Sequence, residues 1–467
     1  MFVNGSKRNK KMRSYIQHKA RLKRKEIIEG FSRLPKEEKI KQISQYFDNP
    51  ETVADEFKSF WHEDPKHQKL FDEFSENTIS NYYFPYGIAP NFVIDNQVYH
   101  IPMVIEESSV VAAASKSAKF WANHGGFHTK IHSTVKVGQV HFTWNGNSDK
   151  LFAAMPDMKA RFIKKVKPIT ANMEERGGGI IDIELIDKTD ELENYYQLKA
   201  SFNTVDSMGA NFINSCLEEF AAELKKYAME NPTFTGEEKE VNIIMSILSN
   251  YTPECMVETW VECDINELSE LEEELTGEEF ARKFEKGVQV AKIDKFRAAT
   301  HNKGIFNGVD AVALATGNDF RAIEAAGHVY AARDGNYRGL TDLSLENGRF
   351  KYSLKLPLSV GTVGGLTNLH PLVKKSLQLL NNPKAEDLMR IAATAGLANN
   401  FGAVYSLVTK GIQLGHMKMH LLNILNAFEA TEEEKNKAVK YFKNIKVSYS
   451  NVADFIKALR KEKNNRE

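Results

Sequence analysis

Apolar residues recur at helical spacing in "FSRLPKEEKIKQISQYF" (31–47), and the amphipathic helical section continues past "HQKLFDEFSENTISNYYFPYG". The period then falls to two in "NFVIDNQVYHIPMVI", which predicts paired strands around the polar turn "DNQ". "ESSVVAAASKSAKFWANH" is rich in small residues at helical spacing, a tightly packed helix that "HGGF" breaks at a hinge. From "KIHSTVKVGQVHFTW" to about residue 240 the pattern reads strand, helix, strands, helix. "GGGIIDIELI" and "YQLKASFNTV" are the strands, and "NFINSCLEEFAAELKKYAM" is an amphipathic helix. This is a compact inserted α+β domain, left through the polar run "ENPTFTGEEKEV".

Beyond it, "NIIMSILSN" and "MVETWVECDI" read as strands of the resumed large domain, followed by the helix "GEEFARKFEKGVQVAKIDKFRAAT". Lys303 falls in the Gly-bearing stretch "HNKGIFNG". "VDAVALATG" reads as a short buried strand that ends at the turn "TGND". "LPLSVGTVGGLTNLHP" is a Gly-bearing loop and "AEDLMRIAATAGLANNFGAVYSLVTKG" a helix of small residues. The tail is a separate charged helical module, whose helix starts with Thr431 and Glu434 at capping-box spacing. No internal repeat is present.

Composition narrows the class. At 467 residues the chain exceeds one ordinary core, which predicts two or three domains. With 42% apolar and 27% charged residues it reads as a soluble globular protein. A formal charge of zero gives no argument for nucleic acid or an anionic membrane as partner. Cys216, Cys255 and Cys263 form no CxxC pair, which fits free thiols in a reducing compartment. No run approaches eighteen consecutive apolar residues, and the N-terminus lacks the apolar core of a secretory signal. The expectation is a cytoplasmic protein. Residues 7–25 carry ten Lys or Arg and no acid, read as a solvated basic arm.

Candidate chemistry is sparse until its pieces are taken together. His124, His128 and His132 fall at i, i+4, i+8, but two glycines interrupt them and no HExxH frame exists, so packing histidines are expected rather than a metal site. His416 and His420 in "GHMKMH" lack an acidic third ligand, and a single proton-donating histidine suits the place better. "GTVGG" and "RGGGIID" are not dinucleotide fingerprints, and no Walker A sequence occurs. "DSMGANF" joins a strand to a helix, where Gly209 and Asn211 leave N-terminal amides free for an anion. Glu106 and Glu107 stand where an apolar strand meets a buried helix; such a carboxylate either caps the helix or handles protons. Lys303 and Asp319, among glycines and small residues, are candidates for charge work on a substrate.

The ordered set "ENTIS", "PMVIEESSVVA", "DSMGAN", "FRAATHNKGIFNG", "ATGND", "GTVGG" and "GHMKMH" resembles the 3-hydroxy-3-methylglutaryl-coenzyme A (HMG-CoA) reductases, in their soluble prokaryotic class II form. The likeness runs over roughly residues 30 to 430. "DSMGAN" departs from the usual DAMGxN by one serine, "ENTIS" from ENVIG by losing its glycine, and "EESS" from EEPS by losing proline, all without loss of charge. The resemblance implies a two-step, four-electron reduction of a thioester to mevalonate and coenzyme A by two nicotinamide hydrides. It implies Lys303 as oxyanion stabiliser, Asp319 as the lysine's partner, Glu107 as proton donor and His416 as the group that protonates the coenzyme A thiolate. Arg297, Ser109 and Asn307 would hold the substrate. Asp206, Met208, Gly209 and Asn211 would contact the dinucleotide, and Asp182 would read the adenosine ribose. NADH or NADPH is the implied cofactor, without metal, and the partners are HMG-CoA, mevalonate and coenzyme A in a homodimer or larger homo-oligomer with shared sites.

The fold so implied is α+β: a large mostly helical substrate domain, an inserted ferredoxin-like nucleotide domain and a C-terminal helical flap. The expected bounds are a basic arm over 1–28, large domain over 29–132 and 241–410, small domain over 133–240, and flap over 411–467. A rival class, a non-catalytic acyl-coenzyme A-binding protein on the same fold, has no use for Glu107, Lys303, Asp319 and His416 together.

Overall fold

The computed structural model describes residues 26–272, 274–409, 421–442, 445 and 447–464. The chain divides into two compact units, 1–85 and 86–467. In the first, helices α1 (Lys36–Ser44), α2 (Pro50–Ser59) and α3 (Pro65–Asp72) are short. Proline opens α2 and α3, and the Asp64 carboxylate accepts from Lys66 N–H to cap α3. A Lys36–Asp72 ion pair of 2.7 Å ties α1 to α3.

The second unit opens on β1 (Tyr86–Ile94) and β2 (Gln97–Val104), an antiparallel hairpin. Its turn is Asp95–Asn96, both left-handed at φ +46° and +67°, as a two-residue hairpin requires. The turn expected from "DNQ" is therefore present. α4 (Ser108–Ala122) and β3 (His128–Ser133) follow. Next come β4 (Lys136–Trp144), α5 (Ser148–Glu174), β5 (Gly179–Asp187), β6 (Tyr195–Asn203), α6 (Ala210–Glu230) and β7 (Val241–Leu248). These four strands make one antiparallel sheet in the order β5-β6-β4-β7, the β-α-β-β-α-β arrangement of a ferredoxin-like domain. It has its own core, with Phe142, Trp144, Phe162, Phe202 and Phe220 buried. β7 pairs with β4 from Trp144↔Val241 to Gly138↔Leu248, so the inserted domain runs to Leu248 and not to 240. An apolar alternation marks a strand but does not say which sheet it joins.

The large domain resumes with β8 (Met256–Asp264), α7 (Gly277–Ile293), α8 (Lys295–Ala315), α9 (Phe320–Ala331), β9 (Thr341–Ser344), β10 (Arg349–Pro357), α10 (Pro371–Leu379) and α11 (Ala385–Val408). A second sheet has the order β3-β8-β10-β9. "VDAVALA" is not a strand: it is the last third of α8, one continuous 21-residue helix. A short apolar run is ambiguous between the two states, and here the small residues serve close helix packing. A Cβ on Gly308 would stand 2.3 Å from the Ala395 carbonyl oxygen of α11, so only glycine allows this crossing. α11 is long and apolar enough to cross a membrane, but 67% of its apolar window is buried inside the fold, as befits a core helix. At the C-terminal end, helical residues 421–427, α12 (Glu432–Tyr441) and α13 (Tyr449–Asn464) share a small core around Leu425, Ala438 and Val452. The Thr431–Glu434 capping box is formed.

Candidate active site

The corner from β2 into α4 carries the first acid. Glu107 is the N-cap residue of α4, yet its side chain makes no capping bond. Its Oε1 accepts from the Ser109 hydroxyl, and its Oε2 stands 3.6 Å from Lys303 Nζ on α8. Glu106, its neighbour, is exposed. The Glu107 carboxylate is thus not spent on capping the helix. The pair does little for stability, since its side chains are 40% and 64% exposed and such pairs contribute about 0–1 kcal/mol. Asn307 lies one turn beyond Lys303 on the same face of α8.

Arg297 sits at the start of α8, where the Asp294 carboxylate accepts its backbone N–H at 2.6 Å. Its guanidinium is half-buried, and desolvation pulls its pKa down. Among the described residues it has no carboxylate partner, so a bidentate donor stands ready for an anion. Beneath it lies a buried polar ring that the sequence did not announce. Asn400 Nδ2 donates to the His301 carbonyl at 2.8 Å, which turns Asn400 Oδ1 towards the Tyr352 hydroxyl. Tyr352 must therefore donate to Asn400, Thr341 to Tyr352 (3.0 Å), and His301 Nε2 to Thr341 (2.6 Å). His301 is then the Nε2–H tautomer, with Nδ1 buried and unpartnered. Burial, with the charges of Arg297 and Lys292, holds its pKa down to about 3. The neutral imidazole ties α8, which carries both it and Lys303, to Thr341 of β9.

Within one chain Asp319 makes no ion pair with Lys303 among the described residues; its partner there is Arg321. Asp319 caps α9, accepting from Arg321 and Ala322 N–H at 3.1 and 3.3 Å. Its carboxylate grips Arg321 through two 3.0 Å bonds, which lower its pKa. α8 carries the chain about 18 Å from Lys303 to Ala315 before the turn to Asp319. Two turns along from Lys303, Asp310 faces Glu324 of α9. Burial, then the Glu324 carboxyl, push Asp310 up to about 8. His416 lies outside the described residues.

The expected dinucleotide segment is the turn from β6 into α6. Gly209 caps α6 at φ +85°, and a Cβ there would meet Thr204 Cγ2 at 2.4 Å. No side chain caps α6 and its first turn holds no acid, so its leading amides are free for a diphosphate. Asn211 is exposed beside them. Asp206 holds three segments together. Its Oδ1 accepts from Ala385 N–H at the head of α11, and its carbonyl accepts from Thr362 and Val363 of "GTVGG". Met208 packs under that loop, where a Cβ on Gly361 would lie 2.4 Å from Met208 N. The two glycine stretches are therefore one structure. Asp182, at a bulge in β5, is paired with Lys159, which lowers its pKa. Among the described residues no group of three or more His, Cys, Asp or Glu is placed to hold a metal. His132 instead meets Glu258 at 2.8 Å.

The comparisons with known proteins identify the family. The family model of hydroxymethylglutaryl-coenzyme A reductase matches residues 36–421. The 3-hydroxy-3-methylglutaryl-coenzyme A reductase of Archaeoglobus fulgidus is 34% identical over 429 residues, 92% of this chain and 93% of that one. A solved reductase of Streptococcus pneumoniae covers 92% of this chain and 99% of its own at 32% identity and TM-score 0.68. A class II reductase of the same organism, bound to NADPH in open conformations, covers 86% of this chain and 97% of its own at 33% identity and TM-score 0.67. Fold, paired Glu107 and Lys303, open α6 terminus and ordered motifs converge on one conclusion: the chain belongs to the hydroxymethylglutaryl-coenzyme A reductase family.

Proposed function

We propose that Glu107 and Lys303 form the reacting centre of an NAD(P)H-dependent four-electron reduction of HMG-CoA to mevalonate and coenzyme A. The observation that carries this is the 3.6 Å approach of an exposed lysine to a carboxylate that declines its own helix cap. When bound, the nicotinamide supplies hydride. The residues supply charge and protons. Negative charge develops on the substrate's carbonyl oxygen at each reduction, and the Lys303 ammonium stabilises it. Glu107, oriented by Ser109, gives its proton to the carbinol oxygen at the aldehyde stage. His416 protonates the departing coenzyme A thiolate, a step suited to imidazolium near neutral pH. Arg297 binds the substrate's free carboxylate, with Ser109 and Asn307 as hydrogen-bonding companions.

The uncapped amides of the first turn of α6, at Ala210 and Asn211, suit the dinucleotide's diphosphate, and Met208 lines the approach. Asp182 accepts the ribose 2′-hydroxyl of NADH, or Lys159 released from it meets the 2′-phosphate of NADPH. The helix-long separation of Lys303 from Asp319 favours a homodimer or larger homo-oligomer, in which Asp319 of one subunit serves Lys303 of another. The enzyme is soluble and cytoplasmic. Purified protein given HMG-CoA with NADH or NADPH oxidises the nucleotide, and Lys303→Ala does not. A folded protein that binds coenzyme A but consumes neither nucleotide in either direction overturns the reading in favour of a binding protein.

A further inference from the structure

Lys136 opens β4 and is only 4% exposed, yet it forms no ion pair among the described residues. Burial lowers its pKa, and Cys255 and Asp206 act on it only from a distance. A buried ammonium without a carboxylate is costly, so its hydrogen bonds identify its use. Nζ donates to Thr204 Oγ1 at 2.5 Å and to the Ser207 carbonyl at 2.7 Å. Thr204 in turn donates to the same carbonyl at 2.6 Å. Between them stands Val205 at φ +51°. A β-branched residue in the left-handed region is strained and persists only where its surroundings over-determine it. The remaining ties are Val205 N–H to Asn203 Oδ1 at 2.9 Å and Gly209 N–H to Ser207 Oγ at 3.0 Å. The cavity beside Lys136 and Met208 is about 10 Å³, one water at most, so the lysine cannot swing away to another partner.

We propose that Lys136 is a positioning residue for the nucleotide: it clamps the strained turn 203–209 so that Gly209 leaves the α6 terminus open. This rests on the reading of residues 206–211 as the dinucleotide segment. The lysine touches neither substrate nor cofactor and acts through Thr204 and Ser207. Its removal lets Val205 relax to an ordinary conformation, and the amides at 209–211 lose their alignment. Nucleotide affinity falls while substrate affinity, set on α4 and α8, does not.

The test is calorimetric titration of NADPH, and separately HMG-CoA, into the full-length parent, Lys136→Met, Val205→Gly and the double variant, with hydrogen exchange of residues 203–211. Lys136→Met weakens NADPH by about tenfold or more, the loss expected for charge-assisted hydrogen bonds, and leaves HMG-CoA within about twofold. Exchange at 203–211 in the nucleotide-free variant rises. Val205→Gly, which removes the strain, restores most of the NADPH affinity in the double variant. A lysine acting by charge alone gains nothing from that glycine, so a failure to restore affinity overturns the clamp. Unchanged NADPH affinity with unchanged exchange in Lys136→Met also overturns it. Should Lys136→Met not fold, the near-isosteric Thr204→Val removes the same acceptor and carries the same expectations in smaller measure. NADPH that binds the parent without slowing exchange at 206–211 removes the segment assignment alone. The clamp is then still judged by the nucleotide-free exchange.

Discussion

Two glycines four residues apart on α8 should respond to alanine with opposite sign. At Gly308 a Cβ would lie 2.3 Å from Ala395 O, 2.6 Å from Ala395 C and 2.8 Å from Asn399 Nδ2. Two of these three atoms are backbone of α11, which a side-chain rotation cannot move. Relief requires α8 and α11 to part by about 1 Å through a close-packed core. Overpacking of this kind costs about 1–3 kcal/mol, and unyielding backbone places the site at the upper end. Alanine returns about 1 kcal/mol of helix propensity, so Gly308→Ala is destabilised by roughly 2 kcal/mol. At Gly304 the nearest atoms are Asn400 Nδ2 at 3.5 Å and Ala403 Cβ at 3.9 Å, ordinary contacts. Gly304→Ala keeps the propensity gain of up to about 1 kcal/mol without a clash. The assay is the thermal midpoint of both variants beside the parent, with turnover measured in parallel. Gly308→Ala should unfold several degrees earlier and lose turnover, because Lys303 rides on the displaced helix. A Gly308→Ala protein as stable as Gly304→Ala refutes the close crossing.

The remaining predictions concern charge. Asp310 keeps its proton to about pH 8 in the fold, whereas an unfolded aspartate releases it near 4. The unfolded chain therefore binds fewer protons between those values, and stability falls as pH rises through the window by up to about 1.4 kcal/mol per unit. Asp310→Asn abolishes that slope, so denaturant midpoints of variant and parent should diverge in the variant's favour from pH 5 to 8; parallel curves refute it. If Asp319 serves Lys303 of another subunit, co-refolding inactive Lys303→Ala with inactive Asp319→Ala regenerates about a quarter of parental turnover, since half the dimers hold one intact site. A mixture as inactive as its parts places both residues in one chain's site.

The hairpin, the inserted domain and the Thr431 cap were legible because each rests on local chemistry: a left-handed Asp-Asn turn, strict alternation, a Thr-x-x-Glu frame. β7 escaped because pairing partners are chosen by topology, and "VDAVALA" because burial on all sides erases periodicity. Motif order singles out Glu107, Ser109 and Lys303, and in the fold Ser109 donates to Glu107, which lies 3.6 Å from Lys303. Motif order names Asp319 beside Lys303 but does not say whether the two meet within one chain or between two. Lys136, the His301–Thr341–Tyr352–Asn400 ring and the Asp310–Glu324 pair carry no sequence signal beyond a polar residue in an apolar run. Only the fold shows that each is buried and what it holds.

The central claim is that Glu107 and Lys303 act as one unit. The decisive measurement is turnover of Glu107→Gln, Lys303→Ala and the double variant, with HMG-CoA and NADPH binding measured on each. Joint action predicts losses of about 10²–10³ in kcat for each single variant and a double variant little worse than either, with nucleotide binding retained. Losses that multiply in the double variant, or a Lys303→Ala enzyme that keeps its turnover, would contradict it.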